Sequence, residues 1–243
     1  VLEGLRKLEY RGYDSAGLAA ISKEHEGPIE TERTVGYVSD LVSKVNGRFK
    51  GTRISIGHTR WATHGGVTDY NAHPHSNKSG NITLVHNGII ENSMFLSKKV
   101  ENLGYEFISE TDTEVIVHLL DYELSKLDNS NHLAAFENVI KQLEGSWAIA
   151  VIVTGLDGIL VSRNGAPLVL GKSSEDISVA SDPQSFYGSC SEVAYIEDGE
   201  TFLITSKGVI SASNKNVPDF TILEGHYDEQ DPGVYPNMMH SQQ

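Results

Sequence analysis

Asn81-Ile82-Thr83-Leu84-Val85-His86-Asn87-Gly88-Ile89-Ile90-Glu91-Asn92 is the stretch whose reading decides how this chain folds. Asn81 to His86 has the β-branched, apolar character of a strand. Asn87-Gly88 then offers two readings. As a local signal it is a type I′ hairpin turn, because both residues tolerate positive φ. As a chemical signal it is a pair of donors: an Asn side-chain NH2 and a glycine N–H can both point at a developing oxyanion, and the missing Cβ lets a substrate come close. Local sequence leaves both open. Beyond it, Asn92 is placed to N-cap a helix carrying Leu96, Val100 and Leu103, with Gly104 as its stop.

Working outward, Val1, Leu2, Leu5 and Leu8 recur at helical spacing up to Gly12, and Ser15 to Ser22 reads as a strand. Val38, Leu41, Val42 and Val45 predict a short amphipathic helix closed by Gly47, and Thr52 to Gly57 predicts a strand. Thr111 or Ser109 is a candidate cap for a helix bearing Val115, Ile116, Leu119 and Leu120. Glu114 would complete a capping box if Thr111 caps. Asn131 begins another helix, with Phe136, Val139, Ile140 and Leu143, ending at Gly145. From Trp147 onward the pattern becomes short strand-like runs: 147–154, 159–163, 168–170, 177–181, 193–196, 201–205 and 209–211. Asp157-Gly158, Asn164-Gly165 and Lys207-Gly208 punctuate them. Mixed helices and strands followed by a strand-rich half predict an α+β protein of stacked sheets covered by helices. The polar, breaker-rich stretch 225–243 reads as a linker, so 1–224 is the expected domain.

Composition narrows the function. Of 243 residues 39% are hydrophobic, enough for one sizeable core. A net charge of −14 repels phosphate backbones and anionic lipid, so neither nucleic acid nor membrane is an expected partner. One cysteine, Cys190, fits a reducing, cytoplasmic setting; it lies beside no base and reads as an inert thiol. No apolar run approaches the ~20 residues of a membrane-spanning helix. His58, His64, His73, His75 and His86 lack the spacing of a zinc site, so no metal or other cofactor is expected.

Polar residues of uncommon mixture gather at four ends of expected strands or helices: Tyr10–Gly17, His58–Gly66, His86–Asn92 and Ser109–Glu114. Arg60 offers the paired donors a carboxylate prefers, and Gly65-Gly66 would let the loop carrying it move. Asp112 is either a carboxylate at a helix N-terminus, favoured by the dipole, or the partner of an ammonium group.

Taken together, LEYRGYDSAG (8–17), GHTRWATHG (57–65), NAHPH (71–75), HNGIIEN (86–92) and SETDTE (109–114) resemble the glutaminase domain of the glutamine–fructose-6-phosphate aminotransferase (isomerising), or glucosamine-6-phosphate synthase, family. Amidophosphoribosyltransferases look more like RGQDSAG at the first motif. The resemblance implies an N-terminal-nucleophile (Ntn) hydrolase fold, a four-layer αββα sandwich of two mainly antiparallel sheets. It implies hydrolysis of L-glutamine, with ammonia passing to a sugar-isomerase (synthase) domain of the same protein, a homo-oligomer. By motif match, Arg60 would bind the glutamine α-carboxylate and Asp112 the α-ammonium. Thr63 and His64 would belong to the closing loop, Trp61 would gate ammonia, and Asn87 with Gly88 would form the oxyanion hole. Arg11 would support the region around the nucleophile's chain terminus, and Arg11 and His73 are counted among the substrate-binding residues. The family's mature chain starts Cys-Gly-Ile-Val-Gly, a strand whose first residue supplies both thiol and amine base. A chain that starts at Val1 is therefore expected to be inactive; the alternative is a non-catalytic module that binds glutamine or a partner.

Overall fold

The computed structural model describes residues 1–21, 28–61, 65–127, 131–213 and 217–224. Thr63, His64 and the expected 225–243 linker lie outside them. In chain order the elements are α1 (Leu2–Leu8), a 3₁₀ turn (Glu9–Arg11), β1 (Ser15–Ile21), β2 (Glu30–Val35), α2 (Val38–Val45), β3 (Ile54–Arg60), β4 (His75–Ser76), β5 (Ile82–Ile90), α3 (Ser93–Glu101), α4 (Glu114–Lys126) and α5 (His132–Ile140). The strand-rich half follows: β6 (Gly145–Val153), β7 (Ile159–Asn164), β8 (Val169–Lys172), β9 (Ile177–Ala180), a 3₁₀ turn (Pro183–Phe186), β10 (Glu192–Tyr195), β11 (Thr201–Thr205), β12 (Gly208–Ser211) and β13 (Thr221–Ile222).

Among the described residues three antiparallel sheets form: β2-β1-β3, β13-β10-β8-β9, and the six-stranded β12-β11-β7-β6-β5-β4. Their packing gives four layers. Leu5, Val38, Leu41 and Val45 of α1 and α2 bury against Ala16 and Leu18 of β1. The opposite face of that sheet, with Ala19, Ile21, Ile54 and Ile56, meets Val85, Ala148, Ala150 and Ile152 of the six-stranded sheet. Leu168, Leu170, Ala194 and Ile196 bring the four-stranded sheet to the same interface. The far side of the six-stranded sheet is covered by α3, α4 and α5 through Leu96, Val100, Ile116, Leu119, Phe136 and Val139. The alternation of each strand between two apolar faces explains why β1 is buried along its whole length.

The expected α+β sandwich is present, with one difference: the upper β layer is two sheets rather than one. Among the described residues β3 pairs only with β1, and β9 only with β8. Both are therefore edges within the same layer.

Three local expectations are corrected. Asn92 precedes α3, but its side chain does not cap it; the amide donates to the Gln142 carbonyl and accepts from Glu144 N–H, tying the helix start to the turn between α5 and β6. The Thr111 capping box does not form, because α4 begins two residues later than that box requires. The Glu114 carboxylate instead accepts from the Ser109 N–H (2.7 Å), the Ser109 hydroxyl (2.6 Å) and the Ile108 N–H (3.0 Å). The helix from Asn131 stops at Ile140, not at Gly145, which opens β6. Asn131 itself caps as expected, its side chain accepting from Ala134 N–H.

Candidate functional site

β5 does not turn at Asn87-Gly88. It runs on to Ile90, with Asn87 opposite Ala148 and Gly88 opposite Trp147 of β6. The hairpin reading is thereby corrected: a nine-residue partner strand contributes a ladder of hydrogen bonds that a local turn would forfeit. Gly88 keeps the positive φ (128°) that the dipeptide permits, and a Cβ there would collide with the Ser146 carbonyl oxygen. Only glycine fits this point of the strand.

Asn87 is held from the side by His58 of β3, whose Nε2 lies 2.7 Å from the Asn87 Oδ1. Burial pushes His58 down to about 4, so the ring is neutral near pH 7. With Oδ1 as acceptor, the imidazole carries its proton on Nε2, and the Asn87 NH2 is left to donate elsewhere. His58 stacks at 4.3 Å on His73, and His73 at 4.8 Å on His75. His73 is pushed well down by burial, and His75 to about 3 by the same cause. His75 Nε2 meets the Thr111 hydroxyl at 3.2 Å. The expected His73 thus sits behind His58, a backing for the ring that orients Asn87. Next along β5, His86 Nδ1 contacts the Thr113 hydroxyl at 2.9 Å.

Arg60, at the end of β3, is only 6% exposed. Burial lowers the pKa of its guanidinium, opposed by the charges of Asp14 and Asp112. One amino group reaches the Gly66 carbonyl at 3.4 Å. Asp112 is not on α4, which starts at Glu114 behind Thr113. Its Oδ2 accepts the Ile90 N–H at 2.7 Å, which fixes the carboxylate against the end of β5, two residues from Gly88. A buried cation, a carboxylate coupled to it, and the Asn87–Gly88 donor pair therefore share one corner.

Gly66 is latched. The Asn71 amide donates to the Gly66 carbonyl (3.0 Å) and to Glu110 Oε2 (3.1 Å), while Glu110 N–H donates back to Asn71 Oδ1 (2.9 Å). Trp61, 42% exposed, meets Tyr13 edge-on at 5.3 Å, and Tyr13 stacks on Tyr37. Arg11 reaches across to the end of β9, donating to the Ser181 hydroxyl (2.8 Å) and pairing with Asp182 (3.3 Å).

The expected residues Arg60, Asp112, Asn87, Gly88 and His73 thus converge, Trp61 flanks them, and Arg11 clasps a neighbouring edge. His58, Asn71, Glu110 and Thr113 had no assigned part. All four lie within the quoted motifs, which was the only signal of them, because their partners are 27 to 39 residues away in sequence. Cys190 is far from this chemistry, packed beside Val169, Phe186 and Val193, and burial pushes its thiol up. Among the described residues no group of His, Cys, Asp and Glu is arranged to hold a metal ion, and no helix is long and apolar enough to cross a membrane.

A family model described as a glutamine amidotransferase domain matches residues 58–188, over half of the chain and nearly all of this corner. The chain belongs to the glutamine amidotransferase domain family. This amidotransferase domain is 43% identical over 216 residues to the glutamine–fructose-6-phosphate aminotransferase (isomerizing) of Clostridium acetobutylicum, covering 88% of this chain and 34% of that one. It is 36% identical over 244 residues to the enzyme of the same name from Sulfolobus acidocaldarius, covering 98% of this chain and 40% of that one. The chain thus spans little more than a third of the curated relatives it matches. Among solved structures, glutamine phosphoribosylpyrophosphate amidotransferase from B. subtilis superposes with a TM-score of 0.71 at 26% identity, over 86% of this chain and 45% of that chain. An allosteric regulatory enzyme of purine biosynthesis gives the same score at 28% identity. These likenesses carry the Ntn-hydrolase sandwich to the present chain.

Proposed function

We propose that this domain binds L-glutamine at the corner between β3 and β5 and supports hydrolysis of its γ-amide to glutamate and ammonia. The observation that carries the reading is the Asn87–Gly88 donor pair, oriented by His58 and set beside Arg60 and Asp112. Arg60 takes the α-carboxylate with its planar paired donors, and Asp112 takes the α-ammonium through the oxygen not committed to Ile90. The γ-carbonyl then lies against the Asn87 amide and the Gly88 N–H, which gain strength as the oxygen becomes negative in the tetrahedral intermediate. The attacking thiol and its amine base come from an N-terminal cysteine, as the family resemblance implies. Thr63 and His64 close over the substrate, Trp61 gates the ammonia, and Arg11 and His73 support the site from either side. The ammonia serves a sugar-isomerase domain that converts fructose 6-phosphate to glucosamine 6-phosphate, in an oligomeric cytoplasmic enzyme with residues 1–224 as its glutaminase domain.

Titration calorimetry with L-glutamine tests the binding half. The parent gives heat, and Arg60→Ala and Asp112→Ala abolish it. Equal heat from L-glutamine and from glutaramate, which lacks the α-ammonium, would count against the role of Asp112. No heat from a folded parent chain would sink the reading.

A further inference from the structure

Asn71 has no role in the glutamine reading above, yet it joins the two segments that carry the charges of that site. It is buried, and its whole amide is engaged. The nitrogen donates to the Gly66 carbonyl at 3.0 Å and to Glu110 Oε2 at 3.1 Å, and the oxygen accepts the Glu110 N–H at 2.9 Å. Glu110 Oε2 also takes the Gly66 N–H at 3.3 Å, which closes the ring of contacts. The bonds from Asn71 and Gly66 hold the exposed Glu110 carboxyl below its usual value.

The joined segments lead to opposite charges. The Gly66 carbonyl also accepts from Arg60 at 3.4 Å. Glu110 stands two residues before Asp112, whose carboxylate takes the Ile90 N–H at 2.7 Å. Between them, Thr111 meets His75 Nε2 at 3.2 Å. Asn71 itself sits on a segment pinned to β2. Asp69 Oδ1 accepts the Val35 N–H at 3.1 Å, and the Arg33 guanidinium donates to the Ala72 and Pro74 carbonyls at 3.4 Å. The Asn71 N–H is bound by the Thr68 carbonyl and hydroxyl, each at 3.2 Å. Asn71 is thus a fixed point from which both charged arms are braced. Its amide is needed because the position donates and accepts at once.

We propose that Asn71, acting through Gly66 and Glu110, is a positioning residue that sets the spacing between Arg60 and Asp112, and so makes the site selective for the zwitterionic head of an α-amino acid. The inference rests on the proposed roles of Arg60 and Asp112 as holders of the α-carboxylate and α-ammonium. In such a head one carbon carries both charges, so their separation is fixed. Two holders set in advance to that separation act together, whereas holders that must be ordered on binding lose affinity. A ligand with only one of the two charges meets one holder, and the spacing does not matter to it. Asn71 therefore contributes affinity to two-charge ligands and none to one-charge ligands.

The test compares three ligands that differ only at the head: L-glutamine, glutaramate, which lacks the ammonium, and the amide of γ-aminobutyrate, which lacks the carboxylate. NMR shift titrations of the full chain give each Kd. The parent should bind L-glutamine at least about tenfold tighter than either one-charge ligand. Asn71→Ala should weaken L-glutamine about tenfold and the one-charge ligands less than about twofold. Glu110→Ala, at an exposed position, should act in the same sense and keeps the test valid if the buried Asn71→Ala chain does not fold. Asn71→Asp places a carboxylate against Glu110 and cannot donate to Gly66. Adding Glu110→Gln restores a donor facing that carboxylate at the parent's net charge, and should recover part of the lost L-glutamine affinity. Equal weakening of all three ligands would reveal a merely structural role and overturn the proposal, as would unchanged L-glutamine binding in the folded variants. A parent that does not prefer L-glutamine to the one-charge ligands would remove the Arg60 and Asp112 reading together with this one. A parent that does, with variants that keep the preference, removes the role of Asn71 alone.

Discussion

Glu114 anchors the loop that presents Asp112, and its charge should set the acid stability of the domain. It is 2% exposed and accepts from two backbone N–H groups and one hydroxyl, with His118 Nε2 at 3.5 Å. Burial opposes its ionisation, but His118, Ser109 and the Ile108 and Ser109 N–H groups outweigh it and hold the carboxyl at about 2, from 4.5. A depressed folded pKa means the unfolded chain binds the proton first. The stabilisation is thus complete above pH 4.5 and is lost as pH falls toward 2. A shift of that size corresponds to about 3 kcal/mol at neutral pH. Glu114→Gln removes the charge while keeping the shape, and it turns an amide toward donors. Urea melts at pH 6 should show the variant less stable by about 2–4 kcal/mol, mostly from impaired hydrogen bonds to a formerly charged acceptor. The gap should narrow by about 2 kcal/mol between pH 6 and pH 3, as the parent loses what the variant never had. A gap constant to within about 0.5 kcal/mol across that range would refute the assignment of the acid sensitivity to Glu114.

Gly88→Ala should destabilise the fold by about 3 kcal/mol or more, read by thermal melting, because positive φ and the Ser146 carbonyl both exclude a Cβ. His58 should remain the neutral Nε2–H tautomer down to about pH 4 in a nitrogen-detected NMR titration, and a midpoint near 6.5 would contradict its burial against Asn87. Because His58 and His75 have lowered folded pKa values, each contributes stability that is present above 6.5 and is lost as pH falls toward 4 and 3. Arg60→Lys should weaken L-glutamine binding at least tenfold, about 1.4 kcal/mol, since an ammonium cannot reproduce the paired donors.

Much of this domain was legible in the linear order of residues. Asn131 caps α5 because an Asn side chain needs only the N–H three residues on. β1 and the short strands after Trp147 follow from local apolar runs, and the motif residues mark the corner of the site without any geometry. The polar strand β2, Glu-Thr-Glu-Arg-Thr-Val at residues 30–35, was not legible. It lies at a sheet edge with little apolar surface to bury, so its pairing with β1 is its main reason to be extended. Asn87-Gly88 was ambiguous for a related cause. Whether the dipeptide turns or continues depends on β6, some 60 residues away, and no local propensity carries that information. From the linear order alone came the motifs that hold Arg60, Asn87, Gly88 and Asp112. That His58 aims Asn87, that Asp112 is tied to β5 rather than to a helix, and that the upper layer is parted between β3 and β9 came from the tertiary structure alone, because each rests on contacts between segments distant in the chain.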